Sequence, residues 1–287
     1  MTINPAALGA EGSPVESSWD STDCLLYALS VGAGMEEPAG SELEFTTENS
    51  HGIGQKALPT MCVVTGDGLA ARDGPLQALG RFKLTLLIHG GQSIRLHKPL
   101  PVAATIRTVA RITELWDKGE HAVVEITSTA TDAVDGTPVY TSASTLVFRG
   151  HGGWGGERGP PERASDRPDR SPDEVLSYTT RADQALLYRL NGDRNPLHSD
   201  PVFAARAGFD RPVLHGLCTY GFTGRALLHA VCDGDPARFG GMDGRFSTPI
   251  LPGDPIDVHI WVDGSRVWFR TLSGDRVIID NGTMTLT

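Results

Sequence analysis

The segment 188–201, YRLNGDRNPLHSDP, places an aspartate, an asparagine and a histidine close together: Asp193, Asn195 and His198. A carboxylate and an imidazole at this spacing can share a proton transfer, one giving while the other takes. Pro196 stiffens the chain between them, and the amide of Asn195 stands where it can orient either neighbour. The same residues suit a polar turn equally well, since Asp and Asn beside Gly and Pro are ordinary turn and cap residues. His198 would then be a half-buried histidine with its hydrogen bonds satisfied. The spacing alone leaves these two readings even. A metal site built from His198, Asp200 and His215 lacks helical ligand spacing and is set aside.

A second feature lies downstream in RPVLHGLCTYGF, where Gly216 opens an apolar helix that also carries Gly221 and Gly224. A helix begins with unpaired N–H groups at the positive end of its dipole. The Gly216 N–H, with no Cβ in the way, can therefore meet a carbonyl oxygen that gains negative charge. Small residues also let a helix lie close on a sheet, and the two roles are compatible. His215, next to it, reads as structural.

The elements that must hold these groups are legible nearby. In ADQALLYRLN, Ala182, Leu186, Leu187 and Leu190 recur at helical spacing, which predicts a short amphipathic helix ended by Gly192. Ser199 and Asp200 as caps, with Pro201 in the first turn, predict a second helix that runs to Gly208. Asp193 and His198 thus sit at the two ends of a stiff loop between helices.

Over the whole chain of 287 residues the same layout occurs twice. The first half offers a helix candidate at LPTMCVVTG (58–66), then three strand-like runs. The second offers HGLCTYGFTGRALLHAV (215–231), then three more. Closely spaced prolines (Pro99 and Pro101; Pro249 and Pro252) precede a strand in each half. Ile256, Val258, Ile260 and Val262 alternate with Asp257, His259, Trp261 and Asp263, and DGSR after them suits a hairpin turn. Helix followed by antiparallel strands, twice over, is an α+β pattern and not a doubly wound sheet. The Gly/Pro-rich stretch 150–172 cannot form a core and divides the chain. The expected organisation is a flexible tail (1–20), an N-terminal unit (21–149), a linker (150–172) and a C-terminal unit (173–287) carrying the Asp/His loop.

Composition narrows the function classes. A net charge of −10 and a pI near 5.3 argue against a general nucleic-acid or membrane-surface binder. Cys24, Cys62, Cys218 and Cys232 are widely spaced, with neither a disulfide framework nor a zinc pattern, which suits a reducing compartment. The opening residues lack the basic and apolar regions of a secretory signal, and no apolar run is long enough to span a membrane. A cytoplasmic enzyme is the expectation.

At this point the sequence resembles a known family. YRLNGDRNPLHSDPVFA is similar to the hydratase 2 motif of MaoC-like enoyl-CoA hydratases, most nearly the hydratase 2 part of peroxisomal multifunctional enzyme type 2. LLYALSVGAG (25–34), LHKPLP (96–101), LWDKG (115–119), GHGGWGG (150–156), LHGLCTYGF (214–222) and GRFSTPILPGD (244–254) resemble that family's landmarks in the same order. The resemblance implies a double hotdog, two antiparallel sheets each wrapped around a central helix and joined into one. It implies Asp193 and His198 as the catalytic pair, Asn195 between them, and Gly216 as backbone donor to a thioester oxygen. It also implies acyl-CoA contacts from His89 and Gly90, Lys118 and Phe246, with Arg194, Pro196 and Leu197 of the loop beside them. Asn191 departs from the family's usual Ser, Thr, Gly or Cys, and Arg194 from a frequent aromatic, which bears on loop packing and substrate preference. The C-terminal TMTLT lacks a Ser-Lys-Leu type of address, so a stand-alone bacterial enzyme is the simpler expectation.

The implied activity is hydration of trans-2-enoyl-CoA to (3R)-3-hydroxyacyl-CoA, in fatty-acid or sterol side-chain metabolism such as β-oxidation. It needs no cofactor beyond the substrate's own CoA and no metal, and the family habit suggests a homodimer. Two other readings stand beside it: an acyl-CoA thioesterase, since fold does not settle function, and a non-catalytic acyl-CoA-binding partner subunit.

Overall fold

The computed structural model describes residues 3–37, 40–66, 73–161 and 165–287, and the strand order within them repeats itself. The first half supplies β1 (Val15–Trp19), β2 (Leu87–Leu96), β3 (Ala104–Asp117), β4 (Ala122–Asp132) and β5 (Pro138–Phe148). The second supplies β6 (Glu174–Thr179), β7 (Phe239–Phe246), β8 (Pro255–Asp263), β9 (Arg266–Ser273) and β10 (Arg276–Leu286). They form one antiparallel sheet in the order β1-β3-β4-β5-β2-β7-β10-β9-β8-β6. Counted inward from either edge, each half has its first strand outermost, then its third, fourth and fifth, with its second at the seam. Identical topology on both sides of the seam is the signature of the expected duplication, and the architecture is the double hotdog.

The seam runs from Gly91 opposite Arg245 to Arg95 opposite Gly241. Its closeness depends on glycine: a Cβ on Gly241 would stand 2.5 Å from the Ile94 carbonyl oxygen. The DGSR hairpin is present, with Asp263 paired to Arg266 and Gly264 at φ 60°. Ile256, Val258 and Ile260 of β8 face the core as the alternation predicts. Val262 is exposed and Trp261 buried, so the alternation fails at the strand's end.

The helices are α1 (Ser21–Ser30), α2 (Leu43–Thr46), α3 (Cys62–Thr65), α4 (Gln184–Tyr188), α5 (Pro201–Arg206) and α6 (Gly216–Cys232). Among the described residues only α6, of 17 residues, is a long central helix, and Cys218 through Leu228 are buried without a break, so it is covered on every side. Its glycines allow this: a Cβ on Gly221 would meet Val31 at 2.5 Å, and one on Gly224 would meet Thr60 at 2.4 Å.

Two expectations are corrected here. LPTMCVVTG does not make a long helix; it forms a 3-10 turn, Pro59–Met61, followed by the single turn α3. Val63, Val64 and Thr65 are β-branched and disfavour helix, and too few residues follow Pro59 to offset the cost of nucleation. Among the described residues the first half therefore has no counterpart of α6. Residues 3–20 are not a loose tail either. Ile3 and Ala7 are buried with Leu79, Ile112, Val124 and Phe148 in a second core, and β1 pairs with β3 along its whole length. Both cores lie on one face of β3 and β4, with Ile106 and Ala130 in the first and Ile112 and Val124 in the second towards the other end of the strands, and the N-terminal residues cover the second. Asp20 caps α1 in a capping box with Asp23.

The stretch 150–172 crosses from one half to the other and is held at its start. The Asp117 carboxylate accepts from the N–H groups of Gly119, Gly153 and Gly155, which explains the glycines of GHGGWGG. Gly153 and Gly155 both adopt positive φ to wrap this carboxylate.

Candidate active site

The loop between α4 and α5 is built from short capped turns. A 3-10 turn, Arg189–Asn191, ends at Gly192 with φ 122°. The Asp193 carboxylate accepts from Asn195 N–H at 3.1 Å, and the Asn195 side chain accepts from Leu197 N–H at 3.0 Å. The latter bond caps a second 3-10 turn, Pro196–His198, so Asn195 sets the pitch of the turn that carries His198. Asp200 caps α5 by accepting from Val202 and Phe203 N–H. It is a cap and not a member of the cluster, so the trio His198, Asp200, His215 is not assembled.

His198 is tied at one nitrogen only. Its Nδ1–H donates to the Val213 carbonyl at 2.8 Å, and Val213 N–H donates back to the Leu197 carbonyl at 3.3 Å. Because a carbonyl only accepts, this bond puts the proton of the neutral ring on Nδ1 and leaves a lone pair on Nε2. Burial pulls the His198 pKa below its ordinary value, against the Val213 bond and the Asp193 charge. His198 is thus a neutral imidazole near pH 7, able to take a proton.

His215, immediately before α6, lies flat on His198 with ring centroids 3.7 Å apart and planes 26° from parallel. Its Nε2–H donates to the Asp193 backbone carbonyl at 3.3 Å. Burial, and next the charge that His198 would carry, push its pKa down to about 4. Nitrogen and carboxylate atoms of Asp193, His198 and His215 all lie within 4.8 Å of one another. His198 Nδ1 and His215 Nε2 each already serve a backbone carbonyl.

The first half reaches into this cluster across the seam. β2 carries a bulge at Gly90: His89 faces Leu146 of β5 while Gly91 faces the next residue, Thr145. A bulge re-aims the side chain beside it, and the His89 ring meets Phe246 of β7 edge-on at 5.1 Å. The His89 pKa falls to about 4, first by burial, with the nearby Asp193 charge pulling the other way. Phe246 also covers the start of α6, where a Cβ on Gly216 would touch its ring at 3.4 Å. Gly216 itself is exposed and is the first residue of α6, so its N–H precedes any acceptor within the helix. The loop meets the start of α6 through His215, which touches both His198 and Asp193, and Phe246 lies against Gly216 from the other side of the seam.

The N-terminal part of the chain, residues 17–150, matches the model of the MFE-2 hydratase 2 N-terminal domain, and residues 163–281 match that of the MaoC like domain. The chain is 44% identical to 3-hydroxyacyl-thioester dehydratase Y of Mycobacterium tuberculosis, over 99% of this chain and 98% of that protein. It is 42% identical to enoyl-CoA hydratase ChsH3 of the same organism, over 91% and 90%. The chain belongs to the MaoC-like hydratase 2 family. A solved MaoC-like dehydratase from Phytophthora capsici superposes with a TM-score of 0.86 at 29% identity, covering 99% of this chain and 98% of that one.

Against that family background, the remaining expected residues divide. Arg194 and Pro196 are exposed at the mouth of the loop, and Leu197 is half-buried. Lys118 is not part of the cluster. It sits in the hairpin between β3 and β4, donates to the Pro160 carbonyl at 2.9 Å, and lies over Trp116. In the sheet one strand, β5, stands between β4 of that hairpin and β2. The helix α4 also turns differently from its apolar pattern: Ala185 and Tyr188 are buried, whereas Leu186 and Leu190 are exposed.

Two features of the site were not anticipated. His215 was expected to be structural only; the signal was its place directly before a helix-opening glycine. Asn191, the departure from the family pattern, donates to the Ser30 hydroxyl at 2.8 Å, and Gln184 donates to the Ser30 carbonyl at 2.6 Å. Both bonds fasten the loop to α1 of the other half. Beside them, Leu190 and Asn191 join Trp19, Leu26, Met61 and Val64 around a cavity of about 230 Å³.

Proposed function

We propose that this protein reversibly adds water to a trans-2-enoyl-CoA to give the (3R)-3-hydroxyacyl-CoA. The observation that carries this is the placement of Asp193 and His198. A carboxylate oxygen of Asp193 and a ring nitrogen of His198 lie within 4.8 Å of each other, close enough for one water to touch both, and Gly216 opens α6 directly after His215 with its N–H unpaired. Hydration of an enoyl thioester needs those three things. Attack at C3 pushes charge onto the thioester oxygen, water must lose a proton, and Cα must gain one.

In this reading the thioester oxygen lies at the Gly216 N–H, where one preorganised donor is worth roughly 2.7–4 kcal/mol of barrier. His198 Nε2 takes the proton from water as its oxygen bonds to C3. Asp193, entering hydration as the carboxylic acid, gives its proton to Cα on the same face; the proton gained by His198 returns to Asp193 by way of solvent before the next turnover, and the roles reverse in dehydration. Asn195 positions His198 through its turn, and His89 and Phe246 wall the reacting carbons. The chemistry is proton transfer and oxyanion stabilisation throughout, so CoA enters only as part of the substrate and no metal or redox cofactor takes part.

The cavity behind Asn191 takes the acyl tail. It is smaller than the roughly 300–1,000 Å³ of pockets that hold a whole ligand, which suits one end of a long substrate. The described first half has no long helix there to fill it. The four cysteines are all free and buried, which fits a reducing compartment, and we assign the protein to the cytoplasm.

The test follows the conjugated enoyl-thioester absorbance with crotonyl-CoA and longer 2-enoyl-CoAs while a thiol reagent reports free CoA. Absorbance loss without thiol release is the expected result. Thiol release would make the protein a thioesterase, and silence at every chain length would make it a binding partner.

A further inference from the structure

The mechanism above leaves one buried group of the cluster without a task. His215 is 1% exposed, its Nδ1 is buried with no hydrogen-bond partner, and its ring face and its Nε2–H lead to the two residues proposed to move protons. One face lies on the His198 ring at 3.7 Å, and its Nε2–H holds the Asp193 carbonyl. Its own backbone accepts from Cys218 and Thr219 N–H in the first turn of α6, so the same residue anchors the helix that presents Gly216.

We infer that His215 is a positioning residue, a neutral clamp that fixes the plane of the base and the loop of the acid relative to the Gly216 N–H. This inference rests on the hydration reading. The physical case has two parts. A flat ring against His198 leaves the base only in-plane freedom, and the Val213 bond removes that, so Nε2 keeps one direction. A leucine or an aliphatic residue could fill the space but could not hold the Asp193 carbonyl. A lysine or an amide could reach that carbonyl but could not cover the imidazole face from water.

The clamp works only while His215 is uncharged, because a second cation against the face of His198 would oppose the protonation that catalysis demands of the base. The groups facing His215 are Asp193, which favours its charge, Arg189 and His198, which oppose it, and the Tyr188 ring at 5.0 Å. Burial decides among them.

Two replacements separate the functions. His215→Phe keeps a ring on His198 but cannot donate to Asp193. His215→Gln keeps a donor but removes the ring. Each is read by kcat and KM on a 2-enoyl-CoA, by the pH profile of kcat/KM, and by the titration of the His198 ring protons in NMR. Expected for Phe is a kcat reduced ten- to a hundredfold with KM within threefold and little change in the His198 titration. Expected for Gln is a similar loss of kcat with the His198 titration and the acid limb moved up by at least half a pH unit, as water reaches the ring. Either variant with wild-type kcat and an unmoved titration overturns the clamp, as does a loss expressed only in KM. If the wild type itself hydrates no enoyl thioester, the function assigned above is wrong. The NMR titration of the Gln variant then decides the clamp separately: an unmoved His198 rejects it, a raised one supports it.

Discussion

Glu42, in a left-handed conformation at φ 58°, places a carboxylate against the middle of α6. Its oxygens take Arg225 Nε at 2.6 Å, His229 Nε2 at 2.7 Å and the Gly34 N–H at 2.9 Å. Arg225 in turn lies over the Tyr178 ring and reaches the Val31 carbonyl. This one carboxylate fastens the first-half segment after α1 to the central helix of the second half. Glu42→Gln leaves the buried Arg225 charge uncompensated. Burial alone would raise the Glu42 pKa, but the bonds from His229 and Arg225 prevail and bring it from 4.5 down to about 2. A shift of that size corresponds to roughly 3 kcal/mol, in line with the roughly 3–5 kcal/mol lost when one partner of a buried pair is removed. At roughly 2–4 °C per kcal/mol, a loss of roughly 3 kcal/mol lowers Tm by about 6–12 °C. The folded pKa is depressed, so the stabilisation is present above pH 4.5 and is lost as pH falls towards 2. Calorimetry of Glu42→Gln, Arg225→Met and the double variant at pH 7 checks this, and the double variant should recover part of the loss. A single replacement costing under about 1 kcal/mol, or a double variant equal to the sum of the singles, would refute the reasoning.

Other outcomes follow from the same geometry. Asp193→Asn and His198→Gln should each lower kcat by about 10²–10⁴ with Tm within a few degrees of wild type; a large Tm loss in both would return the loop to the status of a structural turn. The acid limb of kcat/KM should lie below pH 6.5, because burial depresses the His198 pKa and the base stays neutral as pH falls through the ordinary histidine range; a limb above 6.5 contradicts this. Gly241→Val should destabilise by more than about 2 kcal/mol, since the Ile94 carbonyl that its Cβ meets is backbone and cannot move aside, while Gly54→Ala, with nothing within 4 Å, should be neutral in the same denaturation series.

Local features were the most legible. The turn chemistry of NGDRNPLHSDP, the capping aspartate at 200 and the glycine that opens α6 all follow from the backbone preferences of a few adjacent residues. Each appears where those preferences put it. The apolar periodicity of ADQALLYRLN misled because the inner face of a five-residue helix is decided by what it packs against. Tyr188 and Gln184 meet α1 and turn Leu186 and Leu190 outward. The central helix expected in the first half failed on length and β-branching, both of which could be read directly.

By itself, the sequence determined which groups are present at the loop, that the layout is duplicated, and which family the motifs resemble, because each of these depends on residues close together in the chain. Only the tertiary structure decided that His89 of β2 meets Phe246 of β7 beside Gly216, that His215 lies on His198, and that Lys118 bonds to Pro160. Those distances are set by strand order. Placing β2 and β7 together at the seam brings residues 157 positions apart into ring contact, and no local pattern encodes which two strands of ten will meet.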